Sequence, residues 1–214
     1  MIFYNNYSNF MKLAPKLIPI LILTSIWTEA ATINYSGIKT YSKNKNIQMV
    51  VEIPAGTNKK IEYSYDKNKF VIDLIDQKDR IIDFLPYPGN YGFIPSTLMS
   101  KKYRGDGDAL DILLISETLE TGAILDIIPI GMLVLEDSKE NDTKIIAIPV
   151  KKSMRIIDAT SYTELCKNYP AVKDIIQLWF LNYKGDGIIE FIKWDDEVSA
   201  KKEVDKWLLL NEIL

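Results

Sequence analysis

The chain has 214 residues, is 47% hydrophobic, carries a formal net charge of −3 and contains no histidine. That length and apolar content are enough to bury the core of one ordinary domain, and the mildly acidic balance gives no electrostatic case for nucleic acid. The missing histidine removes Ser-His-Asp triads, Cys-His dyads and His-ligated zinc or iron sites, and a lone Cys166 cannot form an internal disulfide. Any catalysis must therefore run on carboxylates, Lys, Arg, Tyr and metal.

Lys12 and Lys16 precede an apolar run over residues 17–27, and the small residues Ala30 and Ala31 follow it. A basic start, a short apolar stretch and a small-residue exit read as a secretory signal peptide over residues 1–31, too short for a comfortable membrane span. Export to a periplasm with cleavage near Ala30 is the expectation; a cytoplasmic enzyme with an upstream start codon is the alternative. Residues 32–46 are polar and read as a linker or irregular segment, leaving 47–214 as the folded domain.

Within that domain, short runs rich in β-branched residues and bounded by turn residues predict strands over 47–53, 60–65, 70–75, 112–115, 124–135 and 144–150. The stretch 87–95 carries two prolines and two glycines and reads as too irregular for a central strand. Apolar spacing of helical period appears only late, over 171–183 and 198–214. Strands followed by helices predict an α+β fold with an antiparallel barrel or sandwich at its centre.

The chemistry concentrates at Asp106-Gly107-Asp108-Ala109-Leu110-Asp111, three carboxylates in six residues. A second acidic stretch, from Glu136 and Asp137 to Asp142, falls between two predicted strands and reads as a hairpin tip. Clustered carboxylates without imidazole or thiolate suit hard divalent cations, which relieve their mutual repulsion. Asp-Gly turns also occur for purely conformational reasons, so solvated acidic turns are the competing reading. An EF-hand loop fits worse, because Leu110 and Asp111 stand where that pattern wants Asp or Asn and then Gly. Lysines, an arginine and tyrosines flank the acidic stretches, the mixture that phosphoryl transfer uses: cations offset phosphate charge, phenols donate hydrogen bonds and a carboxylate orients water.

These blocks together resemble the family I soluble inorganic pyrophosphatases over roughly residues 47–195. Asp106 to Asp111 is similar to that family's Asp-Gly-Asp-Pro-x-Asp signature, with Ala109 where Pro is usual. Glu52, the Lys60/Glu62 pair, Arg80, Tyr87 and Tyr91, Asp137, Asp142 with Lys144, and Tyr183-Lys184 follow in family order; Ser138 stands where relatives often carry Glu. The resemblance implies an OB-like five-stranded antiparallel barrel with flanking strands and C-terminal helices. It implies hydrolysis of inorganic pyrophosphate with several Mg²⁺ ions per site, Mn²⁺ or a similar cation substituting, and a homo-oligomer, hexamer or dimer. By the same resemblance, Asp106, Asp111, Asp137, Asp142 and Glu62 are metal ligands and Asp108 is the general base. Lys60, Arg80, Tyr91, Lys144, Tyr183 and Lys184 grip the phosphoryl groups, with Tyr91 and Lys144 closest to the chemistry, while Glu52 and Tyr87 orient their neighbours. Two alternatives stand beside this reading: an OB-type module that binds a cation or phosphate without turnover, and hydrolysis of nucleoside di- or triphosphates on the same site.

Overall fold

The computed structural model describes residues 33–213, with side chains to residue 208; the signal-peptide reading of residues 1–31 lies outside the described residues. Ten strands run in the order β1 (Ile47–Ile53), β2 (Ile61–Ser64), β3 (Lys69–Ile72), β4 (Leu74–Ile75), β5 (Lys78–Asp79), β6 (Asn90–Phe93), β7 (Asp111–Leu114), β8 (Ile124–Asp137), β9 (Glu140–Pro149) and β10 (Ile189–Asp195). Three helices close the chain: α1 (Tyr162–Asn168), α2 (Pro170–Asn182) and α3 (Glu197–Ile213).

Five strands form a hydrogen-bonded ring. β1 pairs with β6, β6 with β7, β7 with β9, β9 with β8, and β8 returns to β1. Closure removes the exposed edges an open sheet would leave, and it matches the OB-like five-stranded barrel. One of the five pairings, β7 with β9, is parallel rather than antiparallel. β10 adds to the outside of β8, and β2–β3 and β4–β5 are separate small hairpins.

The expectation that 87–95 holds no central strand is wrong: Asn90–Phe93 is β6, buried throughout and paired on both sides. Pro88 and Pro95 fall outside the strand, so neither removes a ladder donor. Gly92 is required inside it, since a Cβ there would lie 2.0 Å from the Val50 carbonyl oxygen. At its entrance, the buried Asn90 amide donates to Ser116 Oγ and the Glu117 carbonyl and accepts from the Ala55 and Leu119 N–H groups. That full set of bonds holds the strand end, where Asn90 pairs with Leu114 of β7 and the β1 ladder has already ended at Tyr91.

Three further elements emerge that periodicity did not predict: the two-residue strand β5 (Lys78–Asp79), α1 and β10. α1 is one short helix, but Ser161 Oγ accepts from Glu164 N–H and Pro170 opens α2 immediately after, so a cap and an N1 proline mark the junction. β10 is mostly exposed and lacks a clean apolar alternation. The remaining elements match the predicted spans within a few residues, and the acidic hairpin tip is the two-residue turn Ser138-Lys139 with φ of 53° and 71°.

β7 and β9 are buried on both faces. Leu113, Ile146 and Ile148 pack with Trp179 and Phe180 of α2, while Ile112, Leu114, Ile145 and Ala147 pack with Val204 and Trp207 of α3. Each such aliphatic side chain contributes on the order of 1.5–3 kcal/mol when withdrawn from water. Residues 34–46 are irregular in backbone yet docked: Tyr35 packs edge-on against Tyr63 and Phe70, and Thr40 Oγ1 donates to the Pro95 carbonyl.

Candidate active site

At one end of the barrel a cleft of about 300 Å³ opens between the β2–β3 hairpin, the loop before β7, the β8–β9 hairpin and the end of α2. Its walls hold Glu52, Lys60, Glu62, Arg80, Tyr91, Asp106, Asp108, Asp111, Asp137, Asp142, Lys144, Tyr183 and Lys184, so residues spread over 130 positions of sequence converge. Tyr87 alone of the predicted set stays behind the wall. Its ring packs 5.3 Å from Tyr91 and 4.5 Å from Trp179, and burial pushes its phenol up to about 12.

The acidic centre is built by register. Parallel pairing puts Asp111 of β7 directly beside Lys144 of β9, and Asp142 follows two residues before Lys144 on the same face. Lys144 is 3% exposed, and its ammonium donates to both Asp111 and Asp142. Burial opposes its charge, but the two carboxylates outweigh burial and hold its pKa well above the ordinary value. Asp106, Asp111 and Asp142 each offer a carboxylate oxygen within 4.8 Å of the others. Three converging oxygen donors fit a hard divalent cation, the group this donor set is suited to hold.

Asp106 and Asp108 reach the cleft from a tightly closed loop. Met99 N–H donates to the Asp108 carbonyl, Gly107 N–H donates to the Met99 carbonyl, and Asp106 Oδ1 accepts from Asp108 N–H at 2.9 Å. Gly105 permits the closure, since a Cβ there would meet the Met99 carbonyl oxygen at 2.3 Å. Burial, then the charges of Asp111 and Asp108, push the Asp106 carboxyl up to about 6. Burial with Asp111 and Glu62 also raises Asp108, against the lowering influence of Lys60 and Lys101. Ala109, in the place of the usual proline, packs with Val50, Tyr63 and Phe93.

Of the five carboxylates expected to bind metal, Asp106, Asp111 and Asp142 converge, the last two also holding Lys144, while Asp137 and Glu62 stand apart, each on its own lysine. Asp137, the last residue of β8, accepts from Lys184, which lowers its pKa despite burial; Ser138 Oγ also donates to it at 3.1 Å. Glu62 pairs with Lys60 at 3.1 Å. The lysines also border an aromatic ring: Lys60 and Lys144 lie 5.4 and 5.6 Å from the Tyr91 ring centre. Arg80 arrives because its carbonyl accepts from Lys60 N–H, and its guanidinium pairs with Asp73 at 2.9 Å. Tyr183 stacks on Trp179 with centroids 4.7 Å apart and planes 8° apart, and Trp179 Nε1 donates to the Leu85 carbonyl.

Glu52 is buried, accepts from Tyr63 N–H at 2.7 Å and so ties β2 to β1. Burial raises its carboxyl to about 8, although Lys60 and the Tyr63 N–H pull the other way. Tyr63, Tyr65 and Phe93 also line the cleft, and sequence reading missed them. Two tyrosines two positions apart on a strand mark a shared face, but only the tertiary packing turns that face towards Asp108.

The family model for inorganic pyrophosphatase matches residues 49–210. The inorganic pyrophosphatase of Sulfolobus acidocaldarius is 40% identical over 167 residues, covering 74% of this chain and 87% of that protein. That of Nanoarchaeum equitans is 37% identical over 157 residues, covering 73% and 89%. Among solved structures, the inorganic pyrophosphatase of Thermus thermophilus superimposes with a TM-score of 0.71 at 28% identity, covering 84% of this chain and 99% of that one. Barrel, cleft and these matches agree: the chain belongs to the inorganic pyrophosphatase family.

Proposed function

We propose that this protein hydrolyses inorganic pyrophosphate to two phosphates with Mg²⁺ as its cation, Mn²⁺ or a similar ion substituting, in the cleft at the end of the barrel. The observation that carries the proposal is the convergence of Asp106, Asp111 and Asp142, in one cleft with Asp108, three lysines, an arginine and phenols. Bound there, divalent cations lower the pKa of water and draw charge from phosphoryl oxygens.

Asp106, Asp111 and Asp142 would hold the cations, with Asp137 and Glu62 as the further ligands the resemblance implies. Asp108 accepts a proton from the attacking water as its oxygen bonds to one phosphorus and the bridging P–O bond breaks. Burial, with Asp111 and Glu62 nearby, raises the pKa of Asp108, which makes it a stronger base than a free carboxylate. Lys60, Arg80, Tyr91, Lys144, Tyr183 and Lys184 fix the two phosphoryl groups and stabilise the charge arriving on the leaving phosphate. Glu52 and Tyr87 hold β2 and Tyr91 in place.

The test is phosphate release. Pyrophosphate is expected to be hydrolysed with Mg²⁺ and not with chelator, and faster than ATP; binding of Mg²⁺ and pyrophosphate without release would favour the non-catalytic module. We further propose a homo-oligomer, on the strength of Ile175 and Leu178 exposed side by side on α2, checked by light scattering. Export rests on the charge and apolar pattern before residue 32. A native protein beginning near Ala30 in a periplasmic fraction supports it, and one beginning at Met1 among cytosolic markers overturns it.

A further inference from the structure

Of the carboxylates that would hold the cations, Glu62 stands on β2 and Asp111 on β7, and the other three sit on two further pieces of chain: Asp106 on the loop after Met99, and Asp137 and Asp142 on the β8–β9 hairpin. One arginine bridges the two. Arg104 Nη2 donates to Glu136 Oε2 at 2.6 Å and to the Lys139 carbonyl at 3.0 Å, while Asn141 N–H donates back to the Arg104 carbonyl at 2.7 Å. Arg104 holds a left-handed backbone, φ 65°, which aims its carbonyl and side chain at the hairpin tip together. Glu136 and Glu140 flank Asp137 and Asp142 there, so the tip carries concentrated negative charge.

We propose that Arg104 is a positioning residue that fixes the spacing between Asp106 and the hairpin carboxylates, and thereby sets affinity for the divalent cation. This rests on the metal-dependent reading above. Arg104 does not line the cleft, and it acts through the two segments it joins. The guanidinium fork reaches a carboxylate and a carbonyl at once, which a lysine ammonium on a flexible stem does less well. Its exposure limits the effect, so loss of the bridge is expected to weaken Mg²⁺ binding about fivefold, the scale of an exposed charge-assisted contact.

The sign separates this role from a mere nearby charge. Removing a positive charge beside an acidic site strengthens cation binding by electrostatics alone, whereas loosening the bridge weakens it. Calorimetric titration of the full chain with Mg²⁺, without pyrophosphate, is the direct measurement. Arg104→Ala is expected to bind about fivefold more weakly and to raise the half-saturating Mg²⁺ of phosphate release by the same factor, with kcat at saturating Mg²⁺ unchanged. Arg104→Lys is expected to recover part of the loss. The double variant Arg104→Ala with Glu136→Gln restores the net charge but not the bridge, and should remain as weak as Arg104→Ala. Equal or tighter Mg²⁺ binding by Arg104→Ala, or a double variant that returns to wild type, overturns the proposal. Because the titration needs no turnover, a wild type that binds Mg²⁺ without releasing phosphate would sink the enzymatic reading and still decide the role of Arg104. A wild type that does not bind Mg²⁺ would sink both.

Discussion

The two sides of the cleft are held by different physics. Asp111, Asp142, Lys144 and Tyr91 stand on barrel strands, where the ladder fixes each backbone and the neighbours are buried on both faces. Asp106, Asp108, Lys60, Glu62 and Arg80 stand on loops and a two-stranded hairpin outside the barrel ladder, held by loop hydrogen bonds and by side-chain tethers such as Glu52 to Tyr63 N–H and Arg80 to Asp73. On the barrel side a functional side chain is also a structural one. On the loop side the two can be separated, and that difference can be broken open by substitution.

The largest expected effect falls on the loop side and on chemistry alone. Asp108→Asn removes the proposed base from a half-exposed loop position, and kcat is expected to fall by about 10²–10⁴ with the thermal midpoint nearly unchanged. Steady-state phosphate release and calorimetry on the same preparation check both halves; full activity would remove Asp108 from the role of base.

On the barrel side, Lys144→Met strips the cation from between Asp111 and Asp142 in a position only 3% exposed. Asp111 and Asp142, 22% and 13% exposed, are then left partly buried without their partner, which costs up to about 3–5 kcal/mol, so the metal-free variant should unfold at lower denaturant. Mg²⁺ should return part of that stability, because it supplies the missing charge. An unchanged denaturation midpoint would show that Lys144 carries no structural burden.

The smallest effect tests the tether between the sides. The Glu52 carboxyl titrates near 4.5 when unfolded and near 8 when folded, so between those values the folded state holds the extra proton. Its contribution is full below pH 4.5 and is lost as pH rises towards 8. Glu52→Gln keeps an acceptor for Tyr63 N–H and cannot ionise. Its thermal midpoint should therefore decline less than that of wild type from pH 5 to 8.5, and parallel curves for the two proteins would refute the assignment.

Strand segments such as 47–53 and 144–150 were legible in the sequence because alternating or continuous apolar runs report burial directly. The acidic cluster was legible for a related reason: Asp106, Asp108 and Asp111 are close in sequence, so their mutual repulsion is a local fact. β6 was not, because its glycine answers to the Val50 carbonyl of a strand some forty positions earlier. β10 was not, because an exposed strand added to a barrel wall needs no apolar face of its own. What the sequence by itself determined was the chemical inventory, carboxylates with lysines and phenols and no imidazole. Only the tertiary structure decided which carboxylates converge, Asp106, Asp111 and Asp142, and which lysine each of the others meets: Lys144 sits between Asp111 and Asp142, Lys184 meets Asp137 and Lys60 meets Glu62. It decided also that Arg104 spans the gap. Such partners are chosen by strand register and loop closure, which join residues far apart in the chain and leave no mark in local composition.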